Sequence, residues 1–167
     1  LDTDRLLQQA RNGEEILCIT CRQLVRLLNQ DIVAYIAENN VLSEGKMFFN
    51  DTDVRNGNYL KVEEQQVARW VYENRQSAGA ATNHFSSARC LYLAIRSANN
   101  VYGVIGVPAQ KGFLESPEYS IILSVINECA LAMENSKNAA EKEKNAVLAK
   151  NEQLRADLLR AISHDLR

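Results

Sequence analysis

The chain has 167 residues, of which 46% are hydrophobic and 24% are charged, so it has room for one compact domain and a long appendage. Its 19 basic and 21 acidic side chains give a formal net charge of -2, which argues against a basic surface built for nucleic acid. No uncharged apolar run approaches the roughly 18 residues that a membrane-spanning helix needs.

The N-terminal part of the chain is predicted to be helical. A short helix is expected over residues 3–11, and Asn12-Gly13 interrupts the pattern. Over residues 14–29 the apolar side chains recur at steps of three and four, which places them on one face of a second helix. They are Leu17, Cys21, Leu24 and Leu28.

The apolar period then changes to two, which is typical of strands. Residues 32–37 are apolar on both faces, Asn39-Asn40 fits a tight turn, and residues 41–49 are expected to form the return strand. The next elements are predicted in this order: a loop over 50–59, a helix over 61–75, a small-residue connection over 77–81, and strands over 90–96 and 101–107. Hairpins separated by a helix predict an α+β fold, with helices packed on an antiparallel sheet.

The only tryptophan and two strand glycines of this middle region allow further predictions. Trp70 is the only tryptophan, and we expect it to be buried. Gly103 and Gly106 lie inside the last strand, where a glycine usually marks the close approach of another backbone or of a ligand.

The last predicted element is one very long helix. Ser116 is a good N-cap, Pro117 suits the first helical position, and neither Gly nor Pro follows to the end of the chain. The helix would run for about 50 residues, or roughly 75 Å. Because the chain begins at Leu1 and ends inside this helical pattern, we expect it to be a piece of a longer protein.

The long helix is predicted to change character along its length. Its first part is apolar and should pack on the sheet, whereas residues 135–145 are polar. A thin apolar seam begins within this polar stretch and continues beyond it, at Ala140, Val147, Leu154, Leu158 and Ile162. This spacing is typical of a coiled coil, which is stable only with a partner, most simply a second copy of the chain.

His164 and Asp165 form the candidate catalytic pair. The helical neighbours of His164 are Arg160 and Ala161, so its ring should face solvent, and an exposed imidazole is a usable nucleophile near neutral pH. Asp165 could accept a proton or hold the ring by a hydrogen bond. The alternative is an ordinary exposed histidine beside an aspartate on a surface helix.

The string Ser-His-Asp-Leu-Arg at residues 163–167 resembles the phosphoacceptor box of the sensor histidine kinases of two-component systems. The preceding domain resembles a GAF domain. The segments VARW (67–70), AGAAT (78–82), LYL (91–93) and YGVIGV (102–107) are similar to the GAF segment of the KdpD-type, potassium-responsive kinases. The resemblance therefore implies a GAF domain over residues 1–134 (helices over 3–29, sheet and helices over 31–134), then a linker helix and the start of the dimerisation and phosphoacceptor helix over 135–167.

The resemblance also implies a chemistry. His164 would be autophosphorylated, Asp165 would assist removal of its proton, and the phosphoryl group would pass to an aspartate of a response regulator. ATP and Mg would be held by a separate domain of the same kinase, so this chain alone should be inactive and should carry no cofactor. Its place would be the cytoplasmic portion of a sensor kinase in the inner (plasma) membrane.

A small-molecule site is the second hypothesis. In a GAF fold the loop after Gln76 would border the concave side of the sheet, where relatives bind ligands. The candidate ligand-binding side chains are Thr82, Asn83, His84, Tyr35, Tyr92 and Arg96. The alternative is a loop that closes over a filled core, which would leave a purely structural, dimerising coupler with no ligand.

The four cysteines raise a metal site as a further alternative. Cys18 and Cys21 are spaced like metal ligands and could combine with Cys90 and Cys129. However, Cys21 shares the apolar helical face, where a thiol acts as a small hydrophobe, and the last two cysteines have no close partner in sequence. We therefore expect no metal site.

Overall fold

The computed structural model describes residues 12–51 and 57–166. Within these ranges the chain forms three α-helices, six β-strands and two short 3-10 turns. In chain order they are α1 (Gly13–Leu28), β1 (Ile32–Glu38), β2 (Val41–Leu42), β3 (Lys46–Phe48), a 3-10 turn (Gly57–Leu60), α2 (Val62–Asn74), β4 (Ala78–Gly79), β5 (Cys90–Arg96), β6 (Val101–Pro108), a second 3-10 turn (Phe113–Glu115) and α3 (Pro117–Asp165).

Helix α1 confirms the helix predicted over residues 14–29. The Asn12 side chain caps its start by accepting a hydrogen bond from the Glu15 amide at 2.9 Å. Asn29 ends the helix in the left-handed conformation, with φ 54°. The apolar face of α1 is buried, as the spacing predicted. The helix predicted over residues 3–11 lies outside the described residues.

The first hairpin turns where the sequence predicts. Asn39 and Asn40 both adopt left-handed φ values, 53° and 63°, which match the right-handed twist of the flanking strands. The return strand predicted over 41–49 is, however, split into β2 and β3. The register with β1 shifts by one residue between β2 and β3. At this point the Ser43 amide donates to the Ile36 carbonyl oxygen at 2.8 Å, and the Ser43 hydroxyl accepts from the Ile36 amide at 3.1 Å.

The sheet is antiparallel, with the strand order β2-β1-β6-β5-β4, and β3 pairs with β1 on the same side as β2. β4 falls within the small-residue connection predicted over 77–81. The close approach predicted at the two strand glycines is real: a Cβ on Gly103 would collide with the Tyr35 carbonyl oxygen, and one on Gly106 with the Tyr92 ring. The approaching groups are therefore protein backbone and an aromatic side chain.

Both faces of the sheet are buried. α1 and α3 cover one face, where Ile32, Leu91 and Ile105 are among the buried residues. α2 covers the other face, where Tyr35 and Tyr92 lie. The result is the predicted α+β architecture: helices packed on both faces of an antiparallel sheet, followed by a long C-terminal helix.

Helix α2 confirms the helix predicted over 61–75, and the burial expected of Trp70 is met only in part, since its side chain packs against the core beneath α2. Trp70 is only half-buried. Its ring lies at the edge of the helix, with its centroid 5.2 Å from that of His84 and 5.7 Å from that of Phe85. The buried positions of α2 are Glu64, Val67, Ala68 and Val71.

Helix α3 is continuous over 49 residues, about 74 Å at 1.5 Å per residue. Ser116 caps it by accepting a hydrogen bond from the Tyr119 amide at 3.4 Å, and Pro117 occupies the first turn. Its buried residues end at Met133, and residues 137–166 are all exposed. Among the described residues, no helix has the length and apolarity to cross a membrane.

Candidate functional site

The carboxyl-terminal end of α3 presents two titratable side chains to solvent. The side chains of His164 and Asp165 are 89% and 87% exposed, and His164 Nδ1 lies 3.9 Å from Asp165 Oδ1. The solvent-facing ring predicted from the helical spacing is confirmed. The imidazole is therefore open to a second protein or domain from most directions.

The helix beside this pair is divided into a polar and an apolar side. On the polar side, Asp157 accepts a hydrogen bond from Gln153 Nε2 at 3.0 Å, and its carboxylate lies 3.9 Å from Arg160 Nη1. On the apolar side, Leu158 and Ile162 are exposed, 62% and 47% respectively. An exposed apolar stripe on a helix is typical of a surface that packs against another helix.

A second polar group lies buried between α2 and the sheet, around a carboxylate that the sequence analysis missed. Glu64 is only 5% exposed. It accepts hydrogen bonds from the amides of Arg89 and Cys90 at 3.1–3.2 Å and from the Tyr92 hydroxyl at 2.9 Å. Glu64 also lies in the first turn of α2, where the helix dipole favours a negative charge. This carboxylate ties α2 to the start of β5.

The buried hydroxyl and thiol groups around Glu64 are held in their protonated forms. Burial, helped by Cys90 and Glu64, raises the pKa of Tyr92 far above its ordinary value. Burial also raises the pKa of Tyr35 and of Cys90, each to about 12. The Tyr35 hydroxyl has no hydrogen-bond partner among the described residues. At neutral pH these groups are neutral, and they contribute packing and hydrogen-bond donors.

The six candidate ligand-binding side chains do not gather in one place. Tyr35 and Tyr92 lie together in the core beneath α2. The Thr82 hydroxyl lies 2.7 Å from the Gly79 carbonyl oxygen and 2.8 Å from that of His84, inside its own loop. The His84 ring stacks on Trp70, Asn83 is exposed, and Arg96 lines a separate cleft with Ser77 and Leu123.

The cysteines act mainly as small apolar side chains. Cys21 and Cys129 are fully buried, and burial raises the pKa of both thiols, to about 11 for Cys129. Cys18 is partly exposed, and its Sγ lies 3.7 Å from Lys46 Nζ. Across residues 12–51 and 57–166, no three His, Cys, Asp or Glu side chains come together as a metal site.

Comparison with known proteins finds similarity to curated sensor proteins along nearly the whole chain. The chain is 32% identical over 162 residues to the sensor protein KdpD of Clostridium acetobutylicum. The matched region covers 96% of this chain and 18% of that protein. It is also 31% identical over 103 residues to the sensor protein KdpD of Escherichia coli, and this matched region covers 60% of the chain and 12% of that protein. The chain thus spans less than a fifth of the length of these relatives. No family model matches the sequence.

A solved structure supports the fold independently of the sequence. The crystal structure of the native GAF domain of the potassium sensor histidine kinase KdpD from Escherichia coli superposes with a TM-score of 0.63. The superposition covers 84% of this chain and 94% of that domain, at 17% sequence identity. At that identity the likeness establishes the GAF fold.

Proposed function

Because this chain is similar to KdpD sensor proteins over 96% of its length and has the GAF fold, we propose that it is the regulatory GAF segment of a potassium-responsive sensor histidine kinase. The observation that carries the proposal is the exposed pair of His164 and Asp165 on α3, because the other end of this helix is buried against the sheet. One continuous helix thus connects the domain to a usable nucleophile.

The imidazole of His164 is the proposed phosphoacceptor. Its Nδ1 lies 3.9 Å from Asp165 Oδ1, so a small rotation of either exposed side chain brings a proton on Nδ1 within hydrogen-bond range of the carboxylate. This tautomer leaves the lone pair of Nε2 free to attack.

In the proposed reaction, Nε2 of His164 attacks the γ-phosphorus of ATP. The N–P bond forms while the bond from that phosphorus to the bridging oxygen of ADP breaks, and Asp165 takes the imidazole proton. ATP and Mg are held by a separate domain of the same kinase. A carboxylate oxygen of a response-regulator aspartate then attacks the phosphorus, so the new P–O bond forms while the N–P bond breaks. The proton held by Asp165 returns to Nδ1, which regenerates the neutral imidazole.

The proposed regulatory role depends on how α3 is held. Ile122, Ile126 and Met133 anchor the helix in the core, and from residue 137 to residue 166 the helix is exposed. A shift in the packing of α1 or the sheet would therefore tilt or rotate a rod whose far end carries His164. The proposed setting is the cytoplasmic side of the membrane, with a second copy of the chain paired along the exposed half of α3.

The test uses the full-length kinase and ATP labelled at the γ-phosphate. We expect label on the parent protein and on His84→Gln, which removes the other histidine of this chain, but none on His164→Gln. Asp165→Asn should slow labelling by roughly 10²-fold, because it removes a general base. The label should be lost in acid and kept in base, as for a phosphoramidate. Equal labelling of His164→Gln and the parent would refute the proposal.

The packing beneath α2 favours a second proposal for this GAF domain. It transmits conformational changes to α3 without a small molecule bound beneath α2. The Tyr92 hydroxyl already donates a hydrogen bond to Glu64. The Thr82 hydroxyl donates one to the Gly79 carbonyl oxygen within its own loop. Native mass spectrometry should show no bound mass that depends on the side chains beneath α2, so the parent chain, Tyr35→Phe and Thr82→Ala should carry the same adducts. A stoichiometric extra mass that Tyr35→Phe or Thr82→Ala removes would favour the ligand-binding hypothesis.

A further inference from the structure

A groove of about 650 Å³ lies between α1 and β3, away from both His164 and the carboxylate of Glu64. Arg22 and Arg26 line it from α1. Lys46, Phe48 and Phe49 line it from β3 and the residue that follows. Its volume is within the range of small-molecule sites, roughly 300–1,000 Å³.

The charges in this groove all have one sign. Arg22 and Arg26 are exposed and lie one turn apart on α1, a spacing at which like charges destabilise a helix. Lys46 faces them from β3. In the part of the chain that the structure describes, none of the three forms an ion pair with an acidic side chain, although the whole chain has a net charge of -2.

The rest of the groove lining is largely apolar. The Lys46 ammonium lies 5.6 Å from the centre of the Phe48 ring, so the positive charge and the aromatic surface are adjacent. Val25 and Phe48 belong to the core and are only 8% and 9% exposed, and the partly exposed Phe49 adjoins them in the groove lining. A molecule that combines an anionic group with a flat apolar body can therefore neutralise the cations and cover the apolar side chains at once.

We propose that this groove binds a small aromatic anion, a molecule in which a carboxylate or phosphate is attached to an aromatic ring. The anion contacts Arg22, Arg26 and Lys46, and the ring packs beside Phe48. The site is independent of the phosphotransfer proposed for His164. It lies against α1, which itself packs on α3, so its ligand is one helix away from the long rod.

The first experiment titrates the 167-residue chain, labelled with ¹³C in its methionine methyl groups, with 1-naphthyl phosphate. The chain has two methionines, so each spectrum contains its own control. Met47 lines the groove, whereas Met133 is buried beneath α1 and its Cε lies 3.6 Å from where a Cβ on Gly13 would stand. We expect a saturable shift of the Met47 signal and a stationary Met133 signal. No saturable shift of Met47 would overturn the proposal.

The contribution of each half of the ligand is tested with 1-naphthol and with inorganic phosphate. Each should bind at least about tenfold more weakly than 1-naphthyl phosphate, because each lacks one of the two contacts. Raising the ionic strength should weaken the binding of 1-naphthyl phosphate, because salt screens its charge, and should leave the binding of 1-naphthol unchanged. Equal affinity for 1-naphthol and 1-naphthyl phosphate would contradict an anion site.

The double variant Arg22→Gln/Arg26→Gln tests the residues themselves. Its matched control is Arg69→Gln/Arg155→Gln, which removes the same charge from exposed helical positions outside the groove. We expect about tenfold weaker binding for the first and parent affinity for the second. Lys46→Gln provides a third, single-site measurement on the strand side. Equal affinities across all three variants would overturn the proposal.

Discussion

Glu64 illustrates how one side chain holds two elements together. Its carboxylate accepts hydrogen bonds from two amides at the start of β5 and from the Tyr92 hydroxyl, all in a nearly dry environment. Buried donors that lose their acceptor retain the full cost of leaving water. The position is therefore structural, and it keeps α2 against the sheet.

Glu64→Ala should destabilise the domain strongly. It leaves three donors without an acceptor, for which we expect a loss of about 3 kcal/mol in the free energy of unfolding and a fall of roughly 10 °C in Tm. Glu63→Ala is the matched control, since it removes an acidic side chain from the same turn of α2, but an exposed one. Urea and thermal unfolding measure both, and similar losses for the two variants would contradict the role assigned to Glu64.

The buried thiols predict a loss of stability in alkali. Burial raises the pKa of Cys90 to about 12 and that of Cys129 to about 11, from an ordinary 9.0. The unfolded chain thus loses these protons at lower pH than the folded chain. Their contribution is fully present below pH 9 and falls as the pH rises toward the folded-state values.

Under reducing conditions, the free energy of unfolding should fall by about 1.4 kcal/mol per buried thiol between about pH 8 and about pH 10. Cys129→Ala is less stable at both pH values, but its fall between them should be smaller by about that amount. Urea unfolding at the two pH values measures the difference. An identical fall in the parent and the variant would count against the assigned pKa.

At the scale of elements, the β1–β6 pair depends on the absence of a side chain at one position. A Cβ on Gly103 would overlap the Tyr35 carbonyl oxygen of the neighbouring strand. Backbone cannot move aside as a flexible side chain can, so the strands would have to separate. This contact explains a glycine in the middle of a strand, where the residue otherwise weakens the structure.

Gly103→Ala should therefore cost about 3 kcal/mol in unfolding free energy. Gly13→Ala is the opposite case: its new Cβ would meet Met133 Cε at 3.6 Å, an ordinary contact, at the start of α1. This second variant should be stabilised by about 0.5 kcal/mol, because alanine loses less backbone entropy than glycine. Chemical unfolding compares the two, and a stable Gly103→Ala protein would contradict the register of β1 with β6.

At the scale of the whole molecule, α3 divides the chain into an anchored and an unanchored part. Its first turns complete the hydrophobic core, whereas residues 137–166 are exposed all round. A single exposed helix of this kind gains little from its own apolar residues, and Val147, Leu154 and Leu158 are all more than half exposed. A second copy of the helix is the proposed partner.

Leu158→Glu should therefore shift the chain from dimer to monomer. Ala156→Glu adds the same charge in the same turn, but on the outer side of the helix, and should remain dimeric. Sedimentation equilibrium measures the mass of each across a range of concentrations. A parent chain that is monomeric at its highest soluble concentration would contradict the proposed pairing.

Much of the fold could be predicted because its signals are local. A period of two marked β1, short apolar runs on either side of Asn99-Asn100 marked β5 and β6, and the steps of three and four marked α1. The cap at Ser116 and the absence of helix breakers after Pro117 set the whole length of α3. The exposure of His164 also follows from its helical neighbours alone.

The buried role of Glu64 was not predicted, although the helical spacing of the sequence indicates it. Its position shares a face with Val67, Ala68 and Val71, at helical steps of three, four and seven, and that spacing marks a buried carboxylate. Its partners, the amides of Arg89 and Cys90, lie about 25 residues away, and no local pattern pairs them.

Local sequence patterns were enough to predict helices α1, α2 and α3, strands β1, β5 and β6, and the exposed histidine at the far end of α3. Three features could be seen only in the folded chain: the division of the return strand at Ser43, the stacking of the partly buried Trp70 on His84, and the gathering of three cations between α1 and β3. The physical reason is that periodicity and capping depend on neighbours along the chain. Burial, pairing and local charge depend on residues that only folding brings together.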